Sequence, residues 1–224
     1  GRRQTNYDYT NIVMACMTFW IQNNNFEKYR DSHHFDYLHK DFDTSKLTWV
    51  ADLKVVFDTV IPGMIGESFK RLKEKSNKSG ANCFKVKETD IFKHGRGKHI
   101  TISVYWLRME DRAKNLKLHQ SCDVYLFGFL GFHKQIEGYD VKIQDKEMLI
   151  RALTYRKFNF EPKTGISLQL GSKSRGTRTS FVTEEDMYPK FYYFTMVKGS
   201  YKNAWIDEYS LSFGLFLTKI LNKE

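Results

Sequence analysis

A helical pattern of apolar and polar positions starts at Pro62 and stops before Gly80. Its inner stripe is spaced by four, three and four residues, and it consists of Ile65, Phe69, Leu72 and Ser76. The opposite side is rich in lysine, so the pattern predicts an amphipathic helix with a basic outer face. Proline suits the first turn of a helix, and glycine suits the left-handed residue that ends one. We therefore expect one long helix here.

Alternating apolar and polar residues predict strands on both sides of this helix. The clearest alternation covers residues 100–106, and residues 83–86 form a shorter predicted strand after the glycine. Residues 49–60 predict a strand before the helix. Residues 11–22 have apolar side chains on both faces, which fits either a central strand or a buried helix.

The second half of the chain is predicted to consist mostly of strands. Seven segments have strand-like patterns, and they are residues 123–132, 139–143, 155–160, 166–170, 177–182, 191–197 and 209–217. Residues 145–153 are predicted to form one or two helical turns that are capped by Asp145. Glycines occur between these segments, where turns are needed.

These elements predict an α+β protein that is rich in β-structure. We expect an N-terminal sheet with one long amphipathic helix, followed by a C-terminal antiparallel β-sandwich or partial barrel. The polar stretch at 111–120 is the best candidate for a connection, which divides the chain into an α+β module at 1–115 and a β-rich module at 116–224. One continuous domain is the alternative, because 224 residues suffice for one large core or two modest ones.

The charge is basic and unevenly distributed. The formal net charge is +10, and residues 62–115 hold 13 Lys and Arg against 6 Asp and Glu. This balance permits an anionic partner, but a solvated helix face has the same composition.

Neither cysteines nor apolar runs identify a compartment. Cys16, Cys83 and Cys122 include no CxxC motif, so neither a zinc knuckle nor a redox dithiol is indicated. One disulfide with a free thiol and three reduced thiols both remain open. No apolar run reaches the length of about 18 residues that a membrane-spanning helix needs, so we predict no transmembrane segment.

Two loops that are rich in glycine and basic residues are the candidate anion sites. Their basic side chains are Lys93, His94, Arg96 and Lys98 in the first loop and Lys173, Arg175 and Arg178 in the second. Glycines allow backbone N–H groups to converge on an anion, and basic side chains add charge-assisted hydrogen bonds. Solvated hairpin tips have the same composition. Our hypothesis is that both loops lie at one end of the molecule and bind phosphate, sulfate or an acidic sugar.

A second candidate site combines imidazole and carboxylate groups. His34, Asp36, His39 and Asp41 lie close together in the sequence, and such groups are sensible metal ligands. A polar loop explains the same residues without a metal, because no fixed spacing identifies the ion.

Catalytic motifs are absent from the sequence. It contains no GxSxG, no HExxH and no recognisable pair of nucleophile and base, so we expect neither catalysis nor a cofactor. The aromatic run at 191–194, next to Lys190 and Lys198, predicts a stacking platform for nucleic acid or, alternatively, ordinary core packing.

The lysine-rich helix and the Gly80-Ala81-Asn82 that follows it resemble a signature of small bacterial envelope modules. That signature, a helix followed by Gly-Ala-Asn and a strand, occurs in envelope-stress lipoproteins and in small domains labelled as heavy-metal-binding. The resemblance covers roughly residues 50–107. It implies a bacterial, envelope-associated and non-enzymatic protein. Where disulfide-bonded members of that family have paired cysteines, this chain offers only Cys83 nearby.

The sequence thus predicts a non-catalytic protein of the bacterial cell envelope or surface that binds an anionic ligand or a protein partner. The periplasm or cell envelope is the expected location, with the cytoplasm as the alternative. A nucleic-acid-binding protein is the alternative function. A hydrolase whose site leaves no sequence motif is the third.

Overall fold

A computed structural model describes residues 17–21, 34–56, 62–89, 99–128, 138–171, 176–197 and 200–224. Within these ranges the helices are α1 (Pro62–Lys78), α2 (Met109–Leu118) and α3 (Leu211–Ile220), with a short 3-10 turn at Thr44–Lys46. The strands of the first half are β1 (Met17–Ile21), β2 (Asp36–Tyr37), β3 (Thr48–Val56), β4 (Cys83–Thr89) and β5 (His99–Trp106). Those of the second half are β6 (Asp123–Phe127), β7 (Gly138–Ile143), β8 (Lys146–Arg151), β9 (Thr154–Asn159), β10 (Gly165–Leu170), β11 (Thr177–Val182), β12 (Lys190–Val197), β13 (Ser200–Glu208) and β14 (Asn222–Lys223).

The described strands form three sheets. The first has the order β1-β3-β5-β4-β2, and only its β2–β4 pair is parallel. The second has the order β11-β10-β7-β8 and is antiparallel. The third has the order β13-β12-β6-β9-β14, in which β6–β12 and β9–β14 are parallel.

The third sheet is buried on both faces. Along β12, Phe191 and Tyr193 pack into a core shared with the first sheet, α1 and α3, whereas Tyr192 and Phe194 pack into a core shared with the second sheet. The two cores therefore lie on opposite faces of one sheet, as alternation along a strand requires. Phe191, Tyr192 and Phe194 are all buried, so this run is core packing and does not present a stacking platform.

Helix α1 follows the predicted stripe. Ile65, Leu72 and Ser76 are buried, and the Ser76 Oγ donates a hydrogen bond to the Leu72 carbonyl at 2.6 Å. On the exposed face, Arg71 Nε lies 3.2 Å from Glu67 Oε1 and forms an i,i+4 ion pair with it. The long amphipathic helix is confirmed.

The Gly80-Ala81-Asn82 segment ends α1 and joins it to the first sheet. Gly80 has a φ of 84°, its N–H donates to the Asn77 carbonyl, and the Ala81 N–H donates to the Ser76 carbonyl at 2.9 Å. This bonding pattern is a Schellman motif. The Asn82 side chain then donates to the Leu107 carbonyl at 2.8 Å and accepts from the Leu107 N–H at 2.7 Å. Each residue of the segment therefore has a structural role.

The predicted class, a strand-rich α+β protein, is confirmed. The C-terminal strands are not wholly antiparallel as predicted, because the third sheet contains two parallel pairs. None of the described sheets closes into a barrel. The stretch predicted as a connection is largely helix α2, and the division at 115/116 stays a prediction. No helix in the described ranges is long and apolar enough to cross a membrane.

Two local predictions are wrong. Residues 209–217 are not a strand, since α3 occupies Leu211–Ile220 and packs its apolar residues between two sheets. An apolar run that is buried on several sides fits either period, so its pattern could not separate helix from strand. Residues 145–153 are not helical either. Gln144, with a φ of 53°, and Asp145 turn the β7–β8 hairpin, and Asp145 caps no helix.

Candidate functional site

Helix α2 is attached to strand β2 by polar contacts. Asn115 is the only residue of this helix that is fully buried, and both ends of its amide bind backbone. Its Oδ1 accepts a hydrogen bond from the His39 N–H at 2.9 Å, and its Nδ2 donates to the Tyr37 carbonyl at 3.0 Å. Because a buried polar group needs such partners, this pairing fixes the position of α2 beside β2.

A charged pair makes the second attachment. Arg112 of α2 donates from Nε to one oxygen of Asp36, and its Nη2 lies 3.4 Å from the other oxygen. Asp36 is buried in β2, and Arg112 is half-buried. The arginine fork thus satisfies a carboxylate that water cannot reach freely.

Two histidines meet at the end of this interface. The rings of His39 and His119 are 4.9 Å apart between centroids and nearly perpendicular. His119 Nε2 lies 2.9 Å from the Tyr37 carbonyl, which only accepts, so this nitrogen carries a proton. His39 Nδ1 accepts from the Asp41 N–H at 3.2 Å, so neutral His39 carries its proton on Nε2. No described residue accepts a hydrogen bond from that Nε2–H.

The histidine pair lies in the wall of a cleft of about 680 Å³. The first sheet, the ends of α2 and α3, and strands β6 and β9 of the third sheet all contribute to this wall. Its lysines are Lys40, Lys85, Lys87, Lys157 and Lys219. We call this space the basic cleft.

Two of the five lysines have carboxylate partners within the fold. Lys87 Nζ is 2.5 Å from Asp52, and Lys157 Nζ is 2.8 Å from Asp123. Two acidic residues, Asp123 and Glu88, line the cleft, and Glu88 lies 3.3 Å from the imidazole of His99.

The remaining three lysines, Lys40, Lys85 and Lys219, line the same cleft as His39. Within the described ranges no carboxylate lies at ion-pair distance from any of them. Burial lowers the pKa of His39, and the three ammonium groups lower it further, against the opposing charge of Asp41. Burial also lowers the pKa of His119. The cleft therefore concentrates positive charge around a neutral imidazole.

The predicted anion loops fall largely outside the described residues. This applies to Lys93, His94, Arg96, Lys98, Lys173 and Arg175. Arg178 is described on the exposed side of β11, where its Nε donates to Ser167 Oγ at 2.9 Å. The loop hypothesis stays a prediction.

The predicted metal ligands are only partly brought together. His39 Nδ1 lies 3.6 Å from Asp41 Oδ2, whereas Asp36 is engaged by Arg112 and His34 is exposed. Among the described residues no group of three His, Cys, Asp or Glu side chains is arranged to hold a metal ion. The cluster of His and Asp residues in the sequence nevertheless pointed to one residue of the candidate site, because His39 lines the basic cleft.

Sequence reasoning did not identify the other residues of the cleft. Lys85 is on a strand, Lys219 is in a segment next to a wrongly predicted strand, and His119 follows a helix that was expected to be a connection. No local motif links these residues, because only the fold brings them together.

The remaining observations do not assign the cleft to a known class. Cys83 and Cys122 are both free thiols, and burial strongly raises the pKa of Cys83, which keeps this thiol protonated. Cys16 lies outside the described residues. Comparison with protein-family models, curated proteins and solved structures finds no match to this chain.

Proposed function

We propose that the protein is a non-catalytic binding protein whose anionic ligand occupies the basic cleft. The observation that carries this proposal is the contrast between the lysines of the cleft. Lys87 and Lys157 have carboxylate partners, whereas Lys40, Lys85 and Lys219 have none among the described residues. Like charges that are held together favour a bound counter-charge, and clefts with one sign of charge attract ligands of the other.

The size of the cleft also supports a ligand site. Its volume of about 680 Å³ lies within the range of about 300–1,000 Å³ that is common for small-molecule sites.

A thermal-shift screen tests the proposal on the whole chain. Its ligands are inorganic phosphate, sulfate, anionic glycans, single-stranded oligonucleotides and anionic phospholipid vesicles. We expect a stabilisation that saturates with concentration, because a ligand that binds only the folded state raises its stability. The double variant Lys85→Gln/Lys219→Gln should lose this stabilisation.

The matched control removes the same charge from the exposed face of α1. Lys70→Gln/Lys78→Gln should keep the stabilisation, because both lysines are exposed and lie away from the cleft. Equal losses in both double variants would show that only net charge matters. Saturable binding of oligonucleotides alone would favour a nucleic-acid-binding protein, and no stabilisation by any anion would refute the proposal.

The location in the bacterial cell envelope or periplasm is part of the same proposal. It is supported by the resemblance at Gly80-Ala81-Asn82, which here also forms the end of α1. Fractionation of the source cells tests it, since recovery together with cytoplasmic markers would refute an envelope location.

A further inference from the structure

The charge around His39 indicates more than a simple preference for anions. Three ammonium groups, those of Lys40, Lys85 and Lys219, line the same cleft as this imidazole and come from three separate parts of the fold. Asp41 is the opposing charge on the same segment, and the ring of His119 lies 4.9 Å from that of His39 between centroids. A monoanion would leave most of this positive charge unmatched, whereas a phosphate monoester carries a charge of about −1.5 to −2 near neutral pH.

The basic groups of the cleft are hydrogen-bond donors. Ammonium groups only donate, and the Nε2–H of neutral His39 is a further donor because its Nδ1 is occupied by the Asp41 N–H. A phosphoryl dianion presents three oxygens that only accept hydrogen bonds. The hydrogen-bond donors of the cleft and its positive charge therefore both favour a phosphoryl dianion.

The cleft is larger than one oxyanion. Val86, Leu118 and Leu215 line it beside the basic residues, and Leu118 is 43% exposed at the end of α2. An apolar side chain in this position gains from contact with an apolar part of a ligand, because that contact removes apolar surface from water. Free phosphate would leave this wall uncovered.

We propose that the basic cleft binds a phosphate monoester of a small organic molecule. Its phosphoryl dianion contacts Lys40, Lys85, Lys219 and the Nε2–H of His39, and its apolar or aromatic body lies against Leu118 and Leu215. This inference rests on the proposed function and specifies the class of ligand.

Isothermal titration calorimetry with three probes tests it on the whole chain. Phenyl phosphate is a dianion at about pH 8, because its second pKa is about 6, and phenyl sulfate has the same shape with one negative charge. Inorganic phosphate has the charge without the body. We expect phenyl phosphate to bind at least about tenfold more tightly than phenyl sulfate, as charge-assisted contacts of this kind imply, and more tightly than inorganic phosphate.

Single variants connect the affinities to the cleft. Lys85→Gln should weaken phenyl phosphate by about tenfold or more and phenyl sulfate by less, whereas Lys70→Gln on α1 should change neither. Leu118→Asn should bring phenyl phosphate towards the affinity of inorganic phosphate and leave inorganic phosphate unchanged. Thermal unfolding of each variant in the absence of ligand checks that the fold is intact.

The possible results separate this inference from the proposed function. Equal affinity for phenyl phosphate and phenyl sulfate would overturn the dianion but leave anion binding in place. Equal affinity for phenyl phosphate and inorganic phosphate, unaffected by Leu118→Asn, would overturn the organic body. Tighter binding of an oligonucleotide through the same lysines would replace the small molecule with nucleic acid. If no anion bound, both proposals would fail.

Discussion

Replacing Asn115 with alanine tests whether polar contacts hold α2 in place. The change removes the hydrogen bonds to the His39 N–H and the Tyr37 carbonyl, of 2.9 and 3.0 Å. The Tyr37 carbonyl keeps a partner in His119, so only the His39 N–H loses its acceptor. The orphaned donor costs about 1–3 kcal/mol and the second lost bond about 0.5–1.5 kcal/mol.

Helix propensity opposes part of this loss. Alanine is favoured over asparagine in a helix by at most about 0.7 kcal/mol. We therefore expect Asn115→Ala to lower the free energy of unfolding by about 2 kcal/mol, measured by urea denaturation near neutral pH. Lys117→Ala, on the exposed side of the same helix, is the control and should stay within about 0.5 kcal/mol of the unaltered chain.

A second substitution at the same position separates hydrogen bonding from volume. Asn115→Asp keeps the acceptor for His39 but places a carboxylate oxygen against the Tyr37 carbonyl, so it should destabilise the chain at neutral pH and recover in part when acid protonates the carboxylate. If Asn115→Ala matched Lys117→Ala, or if Asn115→Asp were neutral at every pH, the idea that these bonds position α2 would be refuted.

Three further predictions follow from packing and charge. Gly214→Ala should lower the free energy of unfolding by about 1–3 kcal/mol, because the added Cβ would overlap the buried ring of Phe191. Gly66→Ala should raise it by up to about 1 kcal/mol, since the nearest atom to its Cβ, in the Phe213 ring, is 3.9 Å away. The free energy of unfolding should fall as the pH drops below the ordinary histidine pKa of 6.5. Burial lowers the pKa of His119 in the folded chain, so the unfolded chain binds more protons than the folded chain in this range. His119→Gln should therefore flatten the dependence of the urea midpoint on pH. Asp36→Ala should cost about 3 kcal/mol, because it leaves half-buried Arg112 without its carboxylate.

Each of these predictions has a contradictory outcome. Equal melting temperatures for the two glycine variants would show that the ring near Gly214 can move without cost. An unchanged pH profile in His119→Gln would assign the acid sensitivity to other groups. For the ion pair, a double-mutant cycle with Arg112→Ala measures the coupling, and additive effects would mean that the two side chains do not interact.

Local patterns predicted those elements whose burial is one-sided. Helix α1 has one buried stripe and one charged face, and its glycine stop has its own chemistry, so its bounds could be predicted closely. Helix α3 could not be recognised in this way, because it is buried between two sheets and its apolar residues cover more than one side. Helix α2 could not be recognised for a different reason. Its one fully buried side chain is Asn115, which is polar, so the helix has no buried apolar stripe that a search for amphipathic patterns would detect.

The site was less predictable than the fold, for a physical reason. His39 could be noticed from its neighbours in sequence, but Lys85 and Lys219 reach the same cleft from a strand and from a helix that are far apart in the chain. A cluster of this kind depends on which strands pair. The parallel pairing of β2 with β4 and the position of α3 against both strands create it, and neither was evident from periodicity.

The arrangement of charges within the described part of the basic cleft is the reason to look there for a bound anion. Lys87 and Lys157 show that this fold can place a carboxylate against a lysine where the charge is structural. Among the described residues, three lysines line the same cleft as His39, and no carboxylate lies at ion-pair distance from any of them. Burial lowers the pKa of the His39 imidazole, and these lysines lower it further. Proteins break local rules of this kind mainly at functional sites, where a ligand restores the balance. A bound dianion would do so here, which is why the basic cleft, and not the charged face of α1, is the place to look for the ligand.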